Sequence, residues 1–211
     1  MNYESKLRAE IVRFGQKLQQ ARFIAGADGN LSGRLDNDTI LITPSGKSKG
    51  YLEPQELIII DLQGNVIKGD SKPSSEYMMH TVIYQHCPDI GAIIHAHPQI
   101  TTAYTMVDKK FSTKALPEGV ISLSNLVWLD YATPSTEDLP ALFEPYLPQA
   151  DIFILKQHGV TCAGSDPEQA FLKMETVEHV ARTCFYAGRL GEVENLPKDE
   201  IERIKALFKK Q

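Results

Sequence analysis

The sequence predicts one α/β domain: a helical repeat opens the chain, short β-rich runs joined by turn residues follow, and helical and strand patterns then alternate without a linker. At 211 residues the chain can bury a sizeable core without disulfide help.

Leu7, Ile11, Phe14 and Leu18 recur at helical spacing with charged neighbours opposite, which predicts an amphipathic N-terminal helix. Residues 31–35 and 39–43, joined by Asp36-Asn37-Asp38, read as a hairpin. Residues 57–62 and 65–68 flank Gln63-Gly64-Asn65 as a second antiparallel pair. Pro73-Ser74-Ser75-Glu76 places a proline, two hydroxyls and an acid before Met78, Met79, Val82 and Ile83, which predicts a helix running to near Pro88. Residues 90–97 and 151–157 are apolar enough for buried strands, and 136–147 predict a short helix capped by Thr136. Asp166-Pro167-Glu168 opens a further helix, with Asp as cap and Pro at the first helical position. That helix carries Phe171, Met174, Val177, Ala181 and Cys184 on one face, with Gly188 and Gly191 bounding its end. Ile201, Ile204, Leu207 and Phe208 predict a last amphipathic helix.

The balance of charge excludes some partners. Lys plus Arg number 22 against 27 Asp plus Glu, a net charge of −5 with no like-charge cluster, so neither nucleic acid nor an anionic membrane is an expected partner. A local anion site stays compatible with that charge. Cys87, Cys162 and Cys184 are widely spaced and form no CxxC pair, which suits a reducing compartment. The longest aliphatic run, residues 57–60, stops at Asp61, and the first ten residues lack the apolar centre of a secretory signal. The expectation is a soluble cytoplasmic protein.

Ile93-Ile94-His95-Ala96-His97-Pro98 is the most informative stretch. On a strand, alternate residues face one side, so His95 and His97 aim two imidazoles at one point, as a metal clamp requires. Two surface or satisfied core histidines are the plainer alternative. His158, at the end of an apolar strand in Gln157-His158-Gly159, offers a third imidazole, and three histidines leave a metal position open for substrate. A polar turn residue is the alternative there. His80, His86 and His179 lie on expected helices and read as surface or packing residues. Glu76 reads either as an acid–base group or as an acid favoured by the helix dipole. Asp28-Gly29-Asn30-Leu31-Ser32, Thr43-Pro44-Ser45-Gly46-Lys47 and Ser74-Ser75 offer backbone N–H groups and hydroxyls suited to a phosphate, although each segment alone is ordinary turn chemistry.

Taken in order, Gly29-Asn30-Leu31-Ser32, Ile42-Thr43-Pro44-Ser45-Gly46, Ser74-Ser75-Glu76, His95-Ala96-His97 and Gln157-His158-Gly159 resemble the class II aldolase/adducin family over nearly the whole chain. Within it, the L-fuculose-1-phosphate aldolases are the members the chain resembles most. The resemblance implies a three-layer α/β/α sandwich around a mainly antiparallel sheet, and a homotetramer with active sites at subunit interfaces. It implies Zn²⁺ on His95, His97 and His158, with Glu76 as acid–base group and further ligand. It also implies a substrate phosphate held by Gly29, Asn30, Ser45, Gly46, Ser74 and Ser75. The implied reaction is reversible cleavage of a ketose 1-phosphate to dihydroxyacetone phosphate and an aldehyde through a metal-stabilised enediolate.

Related enzymes include a methylthioribulose-1-phosphate dehydratase and pentulose-phosphate epimerases, and the family also contains non-catalytic adducin-like assembly modules. Glu76 counts against an epimerase, which usually has Asp there, and the intact histidine set counts against an assembly module. Related aldolases carry a tyrosine in the loop after the first metal strand. Residues 115–130 have none, the nearest being Tyr131, and residues 204–211 also lack one.

Overall fold

In the computed structural model, which describes residues 2–208, the opening repeat folds as α1 (Tyr3–Gln20). The Asn2 side chain caps it by accepting from the Ser5 N–H, and Leu7, Ile11, Phe14 and Leu18 are all buried. β1 (Asn30–Arg34) and β2 (Thr39–Ile42) form the expected hairpin. Its turn is held by Asp36 Oδ1, which accepts from the N–H groups of Asp38 at 2.9 Å and Thr39 at 2.8 Å. Two 3₁₀ turns, Lys49–Tyr51 and Pro54–Glu56, lead to the second hairpin, β3 (Ile58–Asp61) with β4 (Val66–Lys68).

α2 (Tyr77–His86) starts directly after Ser74-Ser75-Glu76 and stops at Cys87, ahead of Pro88. β5 (Ala92–Ala96) is the expected buried strand. After it come α3 (Gln99–Thr105), α4 (Pro117–Ser122), β6 (Leu126–Leu129) and α5 (Asp138–Ala141). β7 (Ile152–Leu155) and β8 (Gly159–Gly164) form a tight pair. α6 (Pro167–Leu190) is capped by Asp166, which accepts from the Gln169 N–H, and α7 (Lys198–Phe208) completes the described chain.

The eight strands make one sheet in the order β4-β3-β2-β1-β5-β8-β7-β6, antiparallel throughout except for the β6–β7 pair. Alternation along the strands feeds two cores, one on each face. Ile40, Ile42, Ile58 and Ile60 pack with Met79, Val82 and Ile83 of α2, while Leu31, Leu41, Ile59 and Ile94 pack on the other face with the buried residues of α1 and α6. The result is the layered α/β arrangement expected.

Four expectations change. The helix expected over 136–147 is broken into α5 and a 3₁₀ turn at Glu144–Tyr146, because Pro145 has no N–H to continue the ladder. Thr136 does not cap it: its hydroxyl donates to the Thr133 carbonyl at 2.7 Å, and Glu137 stands at the cap. α6 runs through Gly188 and ends only at Gly191. α7 buries Ile201 yet leaves Leu207 and Phe208 exposed, and residues 209–211 lie outside the described residues. β6, β8, α3 and α4 carried no sequence assignment. Among the described residues, no helix is long and apolar enough to cross a membrane.

Candidate active site

The site grows from the centre of the sheet. His95 on β5 lies opposite Thr161 on β8, whose Oγ1 is 3.0 Å from His95 Nδ1. With one ring nitrogen engaged, the other is aimed outward: His95 Nε2 lies 3.0 Å from His97 Nε2 and 3.5 Å from Glu76 Oε2. His97 sits just past the end of β5, its backbone N–H bonded to the Phe23 carbonyl and its Nδ1 3.7 Å from the Asp28 carboxylate. The two histidines therefore converge as their alternation predicted.

His158 arrives from the β7–β8 turn. Gln157 adopts φ 53°, an uncommon conformation for a non-glycine residue, and its N–H bonds Thr105 Oγ1 at 3.0 Å. The turn places His158 Nε2 3.1 Å from Glu76 Oε1. Gly159 is required by this crowding, since a Cβ there would lie 2.5 Å from His97 Cδ2 and 2.6 Å from the Ala96 carbonyl oxygen.

Glu76 stands at the cap position of α2 but does not cap it. Its Oε2 instead accepts from Asn30 Nδ2 at 2.9 Å. From Asn30 a buried polar chain continues through its Oδ1 to His80 Nε2, from His80 Nδ1 to Ser32 Oγ at 2.6 Å, and on to the Tyr84 hydroxyl at 2.9 Å. His80 is thus a fully buried link behind Glu76, which corrects the expectation of a surface residue and extends that of plain packing. Its position one turn before Tyr84 on α2, with Asn30 and Ser32 on the same side of β1, lets the chain close.

Burial depresses the imidazole pKa of His95, with Glu76 pulling the other way, and does the same at His80, which falls to about 4. Burial alone would raise the Glu76 carboxyl. The neighbouring His95 and His158, with the hydrogen bond from Asn30, outweigh it and hold the group below the usual carboxylate range. Burial lowers the pKa of His97 as well, and the lowered imidazoles of His95 and His97 beside an ionised Glu76 are the protonation state that a bound cation needs.

The donors also fit a divalent cation. One ligand atom from each of His95, His97 and His158 lies within 4.8 Å of the others. Glu76 Oε1 and His158 Nδ1 are buried without a hydrogen bond, the 3.1 Å approach of His158 Nε2 to Glu76 Oε1 being poorly aligned for one. Three nitrogens and a carboxylate suit zinc and its neighbours in the first transition row.

Beside this centre lies a cavity of about 330 Å³ reached by Glu76, His97 and His158. Its other wall holds Asn30, Ser45, Gly46, Ser74 and Ser75, with Gly29 at the edge. The two loops are clasped by a bridge between Pro44 and Pro73, in which Ser45 N–H donates to the Lys72 carbonyl and Ser74 N–H to the Thr43 carbonyl, each at 3.0 Å. Among the described residues, the hydroxyls of Ser45 and Ser75 and the N–H groups of Gly46 and Ser75 make no hydrogen bond, which leaves a cradle of open donors. A larger hollow of about 670 Å³ between α3 and the end of α6 contains no histidine.

Several lining residues had no sequence assignment. Lys49 borders the cavity, and Pro134 and Ser135 reach it from the loop after Tyr131, while Tyr131 itself is exposed; Asp28, from the segment expected at an anion, also lines it. Glu178 of α6 holds the start of α3, directly after His97-Pro98: its carboxylate accepts from the N–H groups of Ile100 at 3.1 Å and Thr101 at 2.9 Å, and from the Thr101 hydroxyl at 2.8 Å. A charged residue on an otherwise apolar helix face, three residues before the buried Ala181, was the available signal.

The layered α/β fold brings three histidines and a glutamate together beside a cradle of open donors, and residues 9–185 match the Class II Aldolase and Adducin N-terminal domain. The chain belongs to that family, whose aldolases are metal-dependent lyases. It is 33% identical over 173 residues to an L-fuculose phosphate aldolase of Methanococcus vannielii, covering 82% of this chain and 92% of that one. It is 31% identical to a 3-oxo-tetronate 4-phosphate decarboxylase of Haemophilus influenzae over 83% of this chain and 85% of that one. A solved L-fuculose 1-phosphate aldolase superposes with a TM-score of 0.86 at 29% identity, covering 97% of this chain and 96% of that one.

Proposed function

We propose that the protein is a zinc-dependent aldolase that cleaves a ketose 1-phosphate of the L-fuculose 1-phosphate type to dihydroxyacetone phosphate and an aldehyde. The observation that carries this reading is the convergence of His95, His97, His158 and Glu76 beside an open donor cradle. In it, His95, His97 and His158 hold the cation, joined by Glu76 when substrate is absent, and Gly29, Asn30, Ser45, Gly46, Ser74 and Ser75 hold the phosphate. Asn30 has one amide N–H engaged by Glu76 and one left for the anion. Bound there, the cation supplies Lewis-acid polarisation of the substrate's carbonyl and hydroxyl oxygens. In cleavage the hydroxyl on the departing carbon gives up its proton as the aldehyde forms, and the ionised Glu76 takes up a proton and delivers it to the carbon that retains the electron pair of the broken carbon–carbon bond. The Asn30–His80–Ser32 chain holds that carboxylate in one orientation.

The decarboxylase relative favours a second reading on the same site, because loss of carbon dioxide leaves an electron pair on the same kind of carbon. The whole sequence works in this proposal as a single cytoplasmic domain assembled into a homotetramer with sites at subunit interfaces. Zinc-loaded protein given L-fuculose 1-phosphate is expected to release dihydroxyacetone phosphate. Release of carbon dioxide from 3-oxo-tetronate 4-phosphate, with no dihydroxyacetone phosphate from any ketose 1-phosphate, overturns the aldolase reading in favour of the second. Dehydration of methylthioribulose 1-phosphate without carbon–carbon cleavage overturns both.

A further inference from the structure

The lysine nearest Ser45-Gly46 in sequence is Lys47, the last residue of the Thr43–Lys47 segment. The structure turns it away: Lys47 Nζ pairs with Glu56 at 2.6 Å on the surface. The cation on the cavity wall is instead Lys49, the one lysine or arginine lining that cavity among the described residues. It is only 3% exposed, and its backbone is fixed because α1 lies directly against it: a Cβ on Gly15 would sit 2.3 Å from the Lys49 carbonyl oxygen.

A buried ammonium has three N–H donors to satisfy and a charge to balance. Lys49 Nζ makes one hydrogen bond among the described residues, at 2.5 Å to the Ala27 carbonyl, and it forms no ion pair. Its position is costly as the chain stands, since burial pushes the ammonium below the ordinary lysine value while Asp28 and Glu76 oppose that shift. The hydroxyls of Ser45 and Ser75 and the N–H groups of Gly46 and Ser75, on residues that line the cavity, are also open. An anion in the cavity satisfies both sets of donors at once.

We infer that Lys49 is the charged partner of the substrate's phosphate, supplying the ion pair that the neutral cradle of Ser45, Gly46, Ser74 and Ser75 lacks. The inference rests on the sugar-phosphate reading above and adds the residue that selects a phosphomonoester dianion over an uncharged sugar. Lys49 acts in binding, so its loss raises KM and leaves kcat nearly unchanged.

The test is inorganic phosphate binding to the metal-loaded protein by calorimetry, comparing wild type with Lys49→Gln and Lys47→Gln. Lys49→Gln is expected to weaken phosphate binding by about 10- to 100-fold, the range for a hydrogen bond to a charged group, while Lys47→Gln binds as wild type. The Lys49→Gln midpoint of thermal unfolding without phosphate is expected to equal or exceed that of wild type, because an under-paired buried charge is removed. Wild-type phosphate affinity in Lys49→Gln overturns the inference, as does a wild type that binds no phosphate. Should that variant fail to fold, phosphate is expected to slow acetylation of Lys49 but not of Lys47 in the wild type, read by mass spectrometry, and equal labelling overturns it. None of these arms requires turnover, so failure of the aldolase reading shows separately, in the product assay.

Discussion

Glu76 has two contacts that a helix-dipole acid has no need of, Asn30 at 2.9 Å and His158 at 3.1 Å, and its carboxylate stands where α2 would otherwise take a cap. Glu76→Gln keeps the shape and removes the basic oxygen pair, so it is expected to retain metal and fold yet lose turnover by about 100-fold or more, checked by metal analysis beside steady-state kinetics. His80 makes the second prediction. Its folded pKa of about 4 lies below the 6.5 of an unburied imidazole, so the unfolded chain takes up this proton first as pH falls. Stability is therefore complete above about pH 6.5 and drains away as pH drops towards 4, by about 2 kcal/mol between pH 7 and 5 from this group alone. Denaturant titrations at the two pH values measure it, and a flatter dependence in His80→Gln is expected. The candidate ligand histidines were legible because HxH on a strand and His-Gly in a turn are local patterns. His80 was not, since nothing in a helix sequence tells which histidine will face Asn30 across 50 residues of chain.

At the scale of elements, position is inherited from neighbours. α3 begins without a side-chain cap of its own, and the carboxylate of Glu178 on α6 does that work from 77 residues away. Glu178→Ala leaves two N–H groups and a buried hydroxyl without partners, which is expected to cost about 2–5 kcal/mol and to loosen the adjacent His97. Metal affinity is then expected to fall by about 10-fold or more, read by competition with a chromophoric chelator. Elements with strong local rules, such as α1, both hairpins and the Asp166-Pro167 start of α6, could be read from sequence alone. β8 could not, because Gly159, Thr161 and Gly164 dilute its apolar signal and its burial comes from lying between β5 and β7. The 136–147 segment shows the reverse error, a good apolar spacing cut by Pro145.

For the whole molecule, the candidate ligands stand at the start of α2, on and just past β5 and in the β7–β8 turn, so a cation bound there would tie distant parts of one sheet. Removing it by chelation is expected to lower the thermal midpoint, and cobalt or zinc to restore it, since a ligand held only by the folded form stabilises that form. A midpoint that ignores the chelator would count against the metal centre. The sheet order adds a consequence in time. Its hairpins, β1–β2, β3–β4 and β7–β8, join strands only a few residues apart, whereas β5 in the middle pairs His95 with Asn30 and Ala92 with Gly164. Closing such long loops is slow, so the hairpins can assemble early while the middle waits. His95 belongs to that late middle, and an incompletely folded chain can carry every hairpin and still have nowhere to put its ion.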